Sequence, residues 1–145
     1  MTEPTPDLSA PAAGTDEPGH PTDLLDLTSE AFDFAREGDV ERLTARLDAG
    51  VPLGVTNDRG DTLLMLAAYH GHASCVKALL TRGADPNQIN ERGQSPLAGA
   101  VFKSAQDVID ALLEGGADPA AGSPSAIDTA VMFGKTDLIK LFGAE

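Results

Sequence analysis

The sequence predicts an all-α fold in which short helix–turn–helix units stack into a solenoid. Three observations lead to this prediction: glycines recur every 33 residues, leucine pairs recur at the same interval, and residues that favour helix starts precede the apolar runs. Gly50, Gly83 and Gly116 show the period most clearly. A fixed period of this length is typical of repeat proteins, in which each unit buries its apolar face against its neighbours.

Residues 1–22 differ in composition from the rest of the chain. This segment holds five of the ten prolines and four acidic residues, but no lysine or arginine. Its only large apolar side chains are Met1 and Leu8. Burial of so few apolar side chains does not compensate for the entropy lost when the segment becomes ordered. We therefore expect a disordered acidic tail. The tail either adds solubility or serves as a recognition segment.

Residues 23–145 form the predicted repeat domain, which divides into about four units with short hairpin loops. The approximate bounds of the units are 24–56, 57–89, 90–122 and 123–145. The two central units are regular, whereas the outer two are degenerate and are expected to act as caps. A stack needs such caps because its end units have only one neighbour each.

Each unit is expected to contain two short helices. Thr62 and Ser95 suit helix N-caps, because their hydroxyls accept hydrogen bonds from unpaired backbone N–H groups. Pro96 then fits the first helical position. Gly83 and Gly116 follow the second helices, where glycine tolerates the positive φ of a helix end. Helices this short are not stable alone, so the units must stack.

The central units resemble the ankyrin-repeat family, whose repeat reads approximately D-x-x-G-x-T-P-L-H-x-A-A-x-x-G-H. The second unit reads Asn57-Asp58-Arg59-Gly60-Asp61-Thr62-Leu63-Leu64-Met65-Leu66-Ala67-Ala68-Tyr69-His70-Gly71-His72. The resemblance covers residues 24–145 and implies a protein-interaction module, an adaptor or an inhibitor, and not an enzyme. In place of the family's TPLH histidine stand Met65 and Ala98. We therefore expect fewer polar links between units and more reliance on apolar packing.

In this family a partner usually contacts the concave side, formed by the hairpin tips and the exposed positions of each first helix. The matching tip residues are Asp58, Arg59, Asp61, Glu91, Arg92 and Gln94. The matching helix residues are Arg36, Glu37, Tyr69, His70, Phe102, Lys103, Met132 and Phe133. Three of the six aromatic residues fall on this stripe, and aromatic residues are enriched at interfaces. Alternatively, Phe133 belongs to the core of the last unit and Tyr69 packs against a neighbour.

No catalytic, cofactor-binding or metal-binding residues are expected. His70 and His72 are two residues apart, not the three or four that place two ligands on one helical face. Cys75 lies in the apolar pattern of a second helix, which predicts a buried structural thiol. The sequence contains neither a nucleophile-elbow motif nor a phosphate-binding glycine loop.

The formal net charge of −13 disfavours nucleic acids and anionic membranes as partners and suits a basic protein. An alternative function is an acidic mimic that occupies the basic site of a nucleic-acid-binding protein. A single cysteine, no secretory signal and no long apolar run predict a cytoplasmic protein, which we expect to be monomeric. The preference for Ala, Gly, Asp and Arg is typical of GC-rich bacterial coding.

Overall fold

A computed structural model describes residues 24–143 of the chain. The tail predicted over residues 1–22 lies outside this range. Within it the chain forms eight α-helices and no β-strand, which confirms the all-α class. The helices are α1 Leu24–Glu37, α2 Val40–Asp48, α3 Leu63–Tyr69, α4 Ala73–Thr81, α5 Pro96–Phe102, α6 Gln106–Glu114, α7 Ala126–Met132 and α8 Thr136–Leu141.

The eight helices form four pairs that stack in chain order, and each pair is called a unit below. The first helices of the units pack in one row, in the order α1, α3, α5, α7. Of the second helices, α2, α4 and α6 pack in a parallel row behind them. None of the described helices is both long enough and apolar enough to cross a membrane.

Side chains cap the first helices where the sequence predicts them. The hydroxyl of Thr62 accepts a 3.0 Å hydrogen bond from the Met65 N–H at the start of α3. Ser95 accepts in the same way from Ala98 at the start of α5, and Pro96 occupies the first position of that helix. At α7, Ser125 and Asp128 cap each other's backbone N–H groups. Helices α3, α5 and α7 therefore begin at fixed residues, which sets the register of the side chains they present.

The core lies between the two rows of helices. Its fully buried side chains come from all four units, so that every unit depends on its neighbours for burial. Cys75 on α4 is one of them, as the sequence predicts. The largest include Leu43, Leu63, Leu79, Leu97, Ile109 and Leu112.

Hydrogen bonds between neighbouring units are more extensive than the loss of the family's histidine suggests. Met65 and Ala98, which stand in its place, are buried and apolar, as expected. The polar links lie in the loops instead. They include Asn90 Nδ2 to Asp61 Oδ1 (2.8 Å), Asp118 N to Asn87 Oδ1 (2.7 Å), Ser123 N to Gly93 O (2.8 Å) and His72 Nε2 to Arg36 O (2.7 Å).

Candidate functional site

A groove with a volume of about 640 Å³ runs along one side of the stack, across the first helices of successive units. One wall consists of loop residues that precede these helices, and the other consists of residues at their C-terminal ends. Because α3 and α5 have seven residues each, the walls lie about 10 Å apart along the helix axes. The groove is therefore wide enough for one peptide segment.

The loop wall is built by the same turn in two successive units. Asn57 Oδ1 accepts hydrogen bonds from the backbone N–H groups of Arg59 (2.9 Å) and Asp61 (3.0 Å). Thirty-three residues later, Asn90 Oδ1 accepts from the corresponding groups of Arg92 and Gln94, at 2.9 and 3.0 Å. The two loops therefore have the same conformation. The side chains of Arg59 and Arg92 are exposed at equivalent positions of the two loops.

Asp61 is not the exposed tip residue that the sequence analysis assumes. Its residue exposure is only 9%, and its Oδ1 accepts a 2.8 Å hydrogen bond from Nδ2 of Asn90 in the next unit. The same Asn90 Nδ2 donates to Oε1 of Gln94, also at 2.8 Å, and Gln94 remains exposed. Asp61 therefore holds the loops of two successive units together, because its carboxylate faces Asn90 of the next unit.

The opposite wall carries a row of exposed aromatic rings, Tyr69, Phe102 and Phe133, called the aromatic row below. The rings of Tyr69 and Phe102 are nearly parallel, with centroids 6.5 Å apart, and Phe133 meets Phe102 edge-on at 5.6 Å. Their exposures are 39%, 53% and 52%. The alternative that places Phe133 in the core is therefore wrong, and Tyr69 packs against a neighbour while still facing solvent.

Met132 extends this wall at the end of α7. It is more exposed than the three rings, at 66%, and it lines the groove beside Phe133. The aromatic row and Met132 together form a continuous apolar surface along three units. A flexible thioether next to rigid rings can adapt to the shape of an apolar partner.

Cationic side chains flank the aromatic row. Lys103 Nζ lies 4.9 Å from the centroid of the Tyr69 ring, within the range of a cation–π contact. Arg36, at the end of α1, lines the groove and pairs with Asp33 at 3.0 Å. Glu37 follows it and is exposed, but does not line the groove.

His70 packs edge-on against Tyr69, with ring centroids 5.5 Å apart. Desolvation lowers the pKa of His70 below its ordinary value, and electrostatic interactions with His72, Lys103 and Arg36 lower it further. His70 is therefore neutral at pH 7 and offers the groove one hydrogen-bond donor and one acceptor.

Among the described residues there is neither a metal-binding cluster nor an exposed thiol. No group of three or more His, Cys, Asp or Glu side chains among residues 24–143 could hold a metal ion. His72 Nε2 is hydrogen-bonded to the Arg36 carbonyl oxygen, so this ring links the start of α4 to the first unit. Burial and the nearby Asp39 raise the pKa of the Cys75 thiol, which favours the unreactive protonated form. The groove itself can act through stacking, hydrogen bonds and ion pairs.

The floor of the groove is formed by residues that are not among those predicted from the sequence. The floor residues lie one helical turn before the wall residues of the same helix: Met65, Leu66, Ala98, Gly99 and Thr129. This spacing is a signal in the sequence, because residues three or four apart share one face of a helix. Ala98 and Gly99 keep the floor low, which opens space above α5.

A model of the ankyrin-repeat family, in three copies, matches residues 32–123. Similar proteins include an ankyrin repeat protein of Pseudomonas aeruginosa, 43% identical over 65 residues, which are 43% of this chain and 38% of that protein. Human ankyrin repeat domain-containing protein 29 is 44% identical over 62 residues, 42% of this chain and 21% of that protein. Mouse ankyrin repeat family A protein 2 is 37% identical over 65 residues, 45% of this chain and 21% of that protein. The chain thus matches well under half of the length of each relative.

Proposed function

Because the chain belongs to the ankyrin-repeat family, we propose that it acts by binding another protein in the groove, as an adaptor or an inhibitor, and that it catalyses no reaction. Ankyrin repeats generally mediate protein–protein interaction. The role of adaptor or inhibitor is part of this proposal. The observation that carries it is the aromatic row, which leaves three contiguous rings exposed along one wall of a groove.

An exposed aromatic row favours binding for energetic reasons. Each ring has a large apolar surface and only two side-chain torsions, so its burial gains much free energy for little lost entropy. Contiguous exposed apolar surface on a folded protein marks an interaction site more often than isolated exposed residues do. The rings are held by helices whose starts are capped, so little reorganisation is needed when a partner binds.

We further propose that the protein works in the cytoplasm as a monomer. The chain has one cysteine, and that cysteine is fully buried, so it offers no surface thiol for a disulfide with another molecule. Such cysteine usage suits a reducing compartment.

The proposal is tested by affinity capture with the full chain and two double variants, followed by quantitative mass spectrometry. The first variant, Tyr69→Ala with Phe102→Ala, removes two rings of the aromatic row. The matched control, Ile89→Ala with Leu141→Ala, removes two side chains that are similarly exposed, at 47% and 52%, but do not line the groove. Circular dichroism and thermal melts establish that all three proteins are folded.

A true partner is expected to be retained by the unaltered chain and by the control variant, and to be lost from the groove variant. Loss of about tenfold or more is expected, because aromatic hot-spot residues commonly contribute 2 kcal/mol or more. Retention of the same partners by all three proteins contradicts binding in the groove.

A further inference from the structure

We propose that the groove selects an acidic segment of the partner, in which carboxylates flank an aromatic or large aliphatic side chain. This inference rests on the proposed function and specifies the chemistry of the bound segment. It follows from the distribution of charge around the groove, which is opposite in sign to the charge of the chain as a whole.

Positive side chains outnumber negative ones along the groove. Among the described residues that line it, Arg36, Arg59 and Arg92 are cationic, and Asp61 alone is acidic. The Asp61 carboxylate is only 9% exposed and accepts a hydrogen bond from Asn90, so three guanidinium groups face the groove against one largely buried carboxylate. The groove therefore presents a cationic lining.

Two of these arginines are not neutralised by the chain itself. Within residues 24–143, no salt bridge includes Arg59 or Arg92, and both are exposed. All four arginines outside the loop wall have an acidic partner: Arg36 with Asp33, Arg42 with Asp39, Arg46 with Glu30 and Arg82 with Asp48. Unpaired arginines on equivalent turns of successive units form a repeated site for carboxylates, which the guanidinium group binds in a bidentate manner.

The second wall carries a positive charge next to the aromatic row. Lys103 does not line the groove, but its Nζ lies 4.9 Å from the centroid of the Tyr69 ring, one helix length away from the arginines of the loop wall. The pKa of His70 is lowered by burial first and then by nearby positive charges, which is in keeping with a positive potential at this wall. This arrangement matches a segment in which one carboxylate lies near the arginines, a second lies near Lys103, and an apolar side chain lies between them.

The acidic residues of the loop tips do not cancel this potential within the groove. Asp58 and Glu91 precede the two arginines, but neither lines the groove. The Glu91 side chain lies against Gly60 of the preceding unit. Much of the acidic charge lies instead on the second helices, for example at Asp107, Asp110 and Glu114 on α6. The net charge of −13 predicts a basic partner, whereas the groove predicts an acidic one.

The chain has its own acidic segment that could compete for the groove. Residues 1–22 contain Glu3, Asp7, Asp16 and Glu17 and neither lysine nor arginine. Its apolar side chains are few, with no aromatic ring to meet the aromatic row. A segment of another protein is therefore the better match, and the test below distinguishes the two.

The test is a selection of random 12-residue peptides on the full chain, followed by affinity measurement by fluorescence anisotropy. Enriched peptides are resynthesised together with counterparts in which every Asp is Asn and every Glu is Gln. Each pair is measured against the unaltered chain, the arginine variant Arg59→Gln with Arg92→Gln, and a control, Arg42→Gln with Lys77→Gln. The aromatic variant Tyr69→Ala with Phe102→Ala and the tail variant described below are measured in the same way. The control removes the same charge from exposed positions on α2 and α4, outside the groove.

Enriched peptides are expected to combine Asp or Glu with at least one aromatic or large aliphatic residue. The arginine variant and the amide counterparts are each expected to weaken binding about tenfold, whereas the control changes it less than twofold. Binding is also expected to weaken when NaCl is raised from 50 to 500 mM, because the charges are exposed.

Other results overturn the inference in distinguishable ways. Neutral or basic peptides that still require Tyr69 and Phe102 refute the acidic specificity but keep the groove as a binding site. Peptides whose binding is indifferent to both the arginine and the aromatic substitutions contradict the proposed function as well. A tail variant, Asp7→Asn with Asp16→Asn and Glu17→Gln, that binds acidic peptides more than tenfold more tightly identifies the tail as the occupant and refutes a separate partner. Failure to enrich any peptide refutes recognition of a linear acidic segment.

Discussion

Asn90 donates a 2.8 Å hydrogen bond from Nδ2 to Oδ1 of Asp61, and this contact joins the loops of two successive units. Both residues are buried, at 8% and 9% exposure. The same asparagine accepts two backbone N–H groups of its own loop through Oδ1. One side chain therefore shapes the turn that presents Arg92 and links it to the unit before.

Replacement of Asn90 by Ala is expected to lower the free energy of unfolding by about 2–4 kcal/mol, because the carboxylate of Asp61 loses its partner and two N–H groups lose their acceptor. Asn57 is the matched control: it accepts the equivalent two N–H groups but makes no such contact with the preceding unit. Asn57→Ala is expected to cost about 1–2 kcal/mol, measured by urea denaturation. Equal losses in the two variants contradict a special role for the link to Asp61.

Replacement of Gly99 by Ala is expected to raise the free energy of unfolding by about 0.5–1 kcal/mol, because glycine is a poor helix former and this residue lies inside α5. A Cβ atom at this position meets Tyr69 Cδ1 at 3.6 Å, an ordinary van der Waals distance. The contrasting variant is Gly122→Ala, whose Cβ would lie 2.6 Å from the Gly93 carbonyl oxygen at a φ of +89°. It is expected to lower the melting temperature, and stabilisation by both changes is incompatible with this packing.

The pKa of His70 is expected to lie below 6.5 in the folded protein, chiefly because of desolvation. As the pH falls below 6.5, the unfolded chain binds a proton at this residue before the folded chain does. The free energy of unfolding therefore decreases as the pH falls, until the pH is below the pKa of His70 in the folded protein. NMR titration of the imidazole resonance measures this value. Lys103→Gln is expected to raise the pKa, but not to 6.5, since desolvation and His72 remain. A His70 that titrates at or above 6.5 in the unaltered protein refutes the described environment.

Cys75 is expected to react with a thiol reagent only when the protein unfolds, because the side chain is fully buried and its pKa is raised by desolvation and by Asp39. Above the ordinary thiol pKa, the unfolded chain loses this proton first, so stability falls as the pH rises from about 8 to 10. Comparison with Cys75→Ala isolates the thiol, and the variant is expected to lose less stability over this range. Rapid labelling under native conditions contradicts the buried position.

Much of the fold is determined by the sequence alone, because a repeat protein makes its contacts over one period. The 33-residue spacing predicts the stacked units, and Thr62 and Ser95 predict where the first helices begin. Once a helix start is known, helical geometry places Tyr69 and Phe102 on the same face of successive units. Cys75 follows by the same reasoning from the apolar pattern of α4.

Contacts between units are decided only by the tertiary structure. The position of Asp61 within its own unit predicts an exposed loop tip. Its actual environment depends on the side-chain amide of Asn90, which lies 29 residues later in the chain. The sequence of one unit does not determine how close that amide comes. The sequence also leaves open whether Phe133 is core or surface, since this depends on how the last pair of helices packs on α5. The 33-residue period of the sequence therefore determines the all-α stack and the alignment of the aromatic row. The cationic lining, the inward turn of Asp61 and the exposure of Phe133 arise when neighbouring units come together, because burial and pairing belong to surfaces that no single unit possesses.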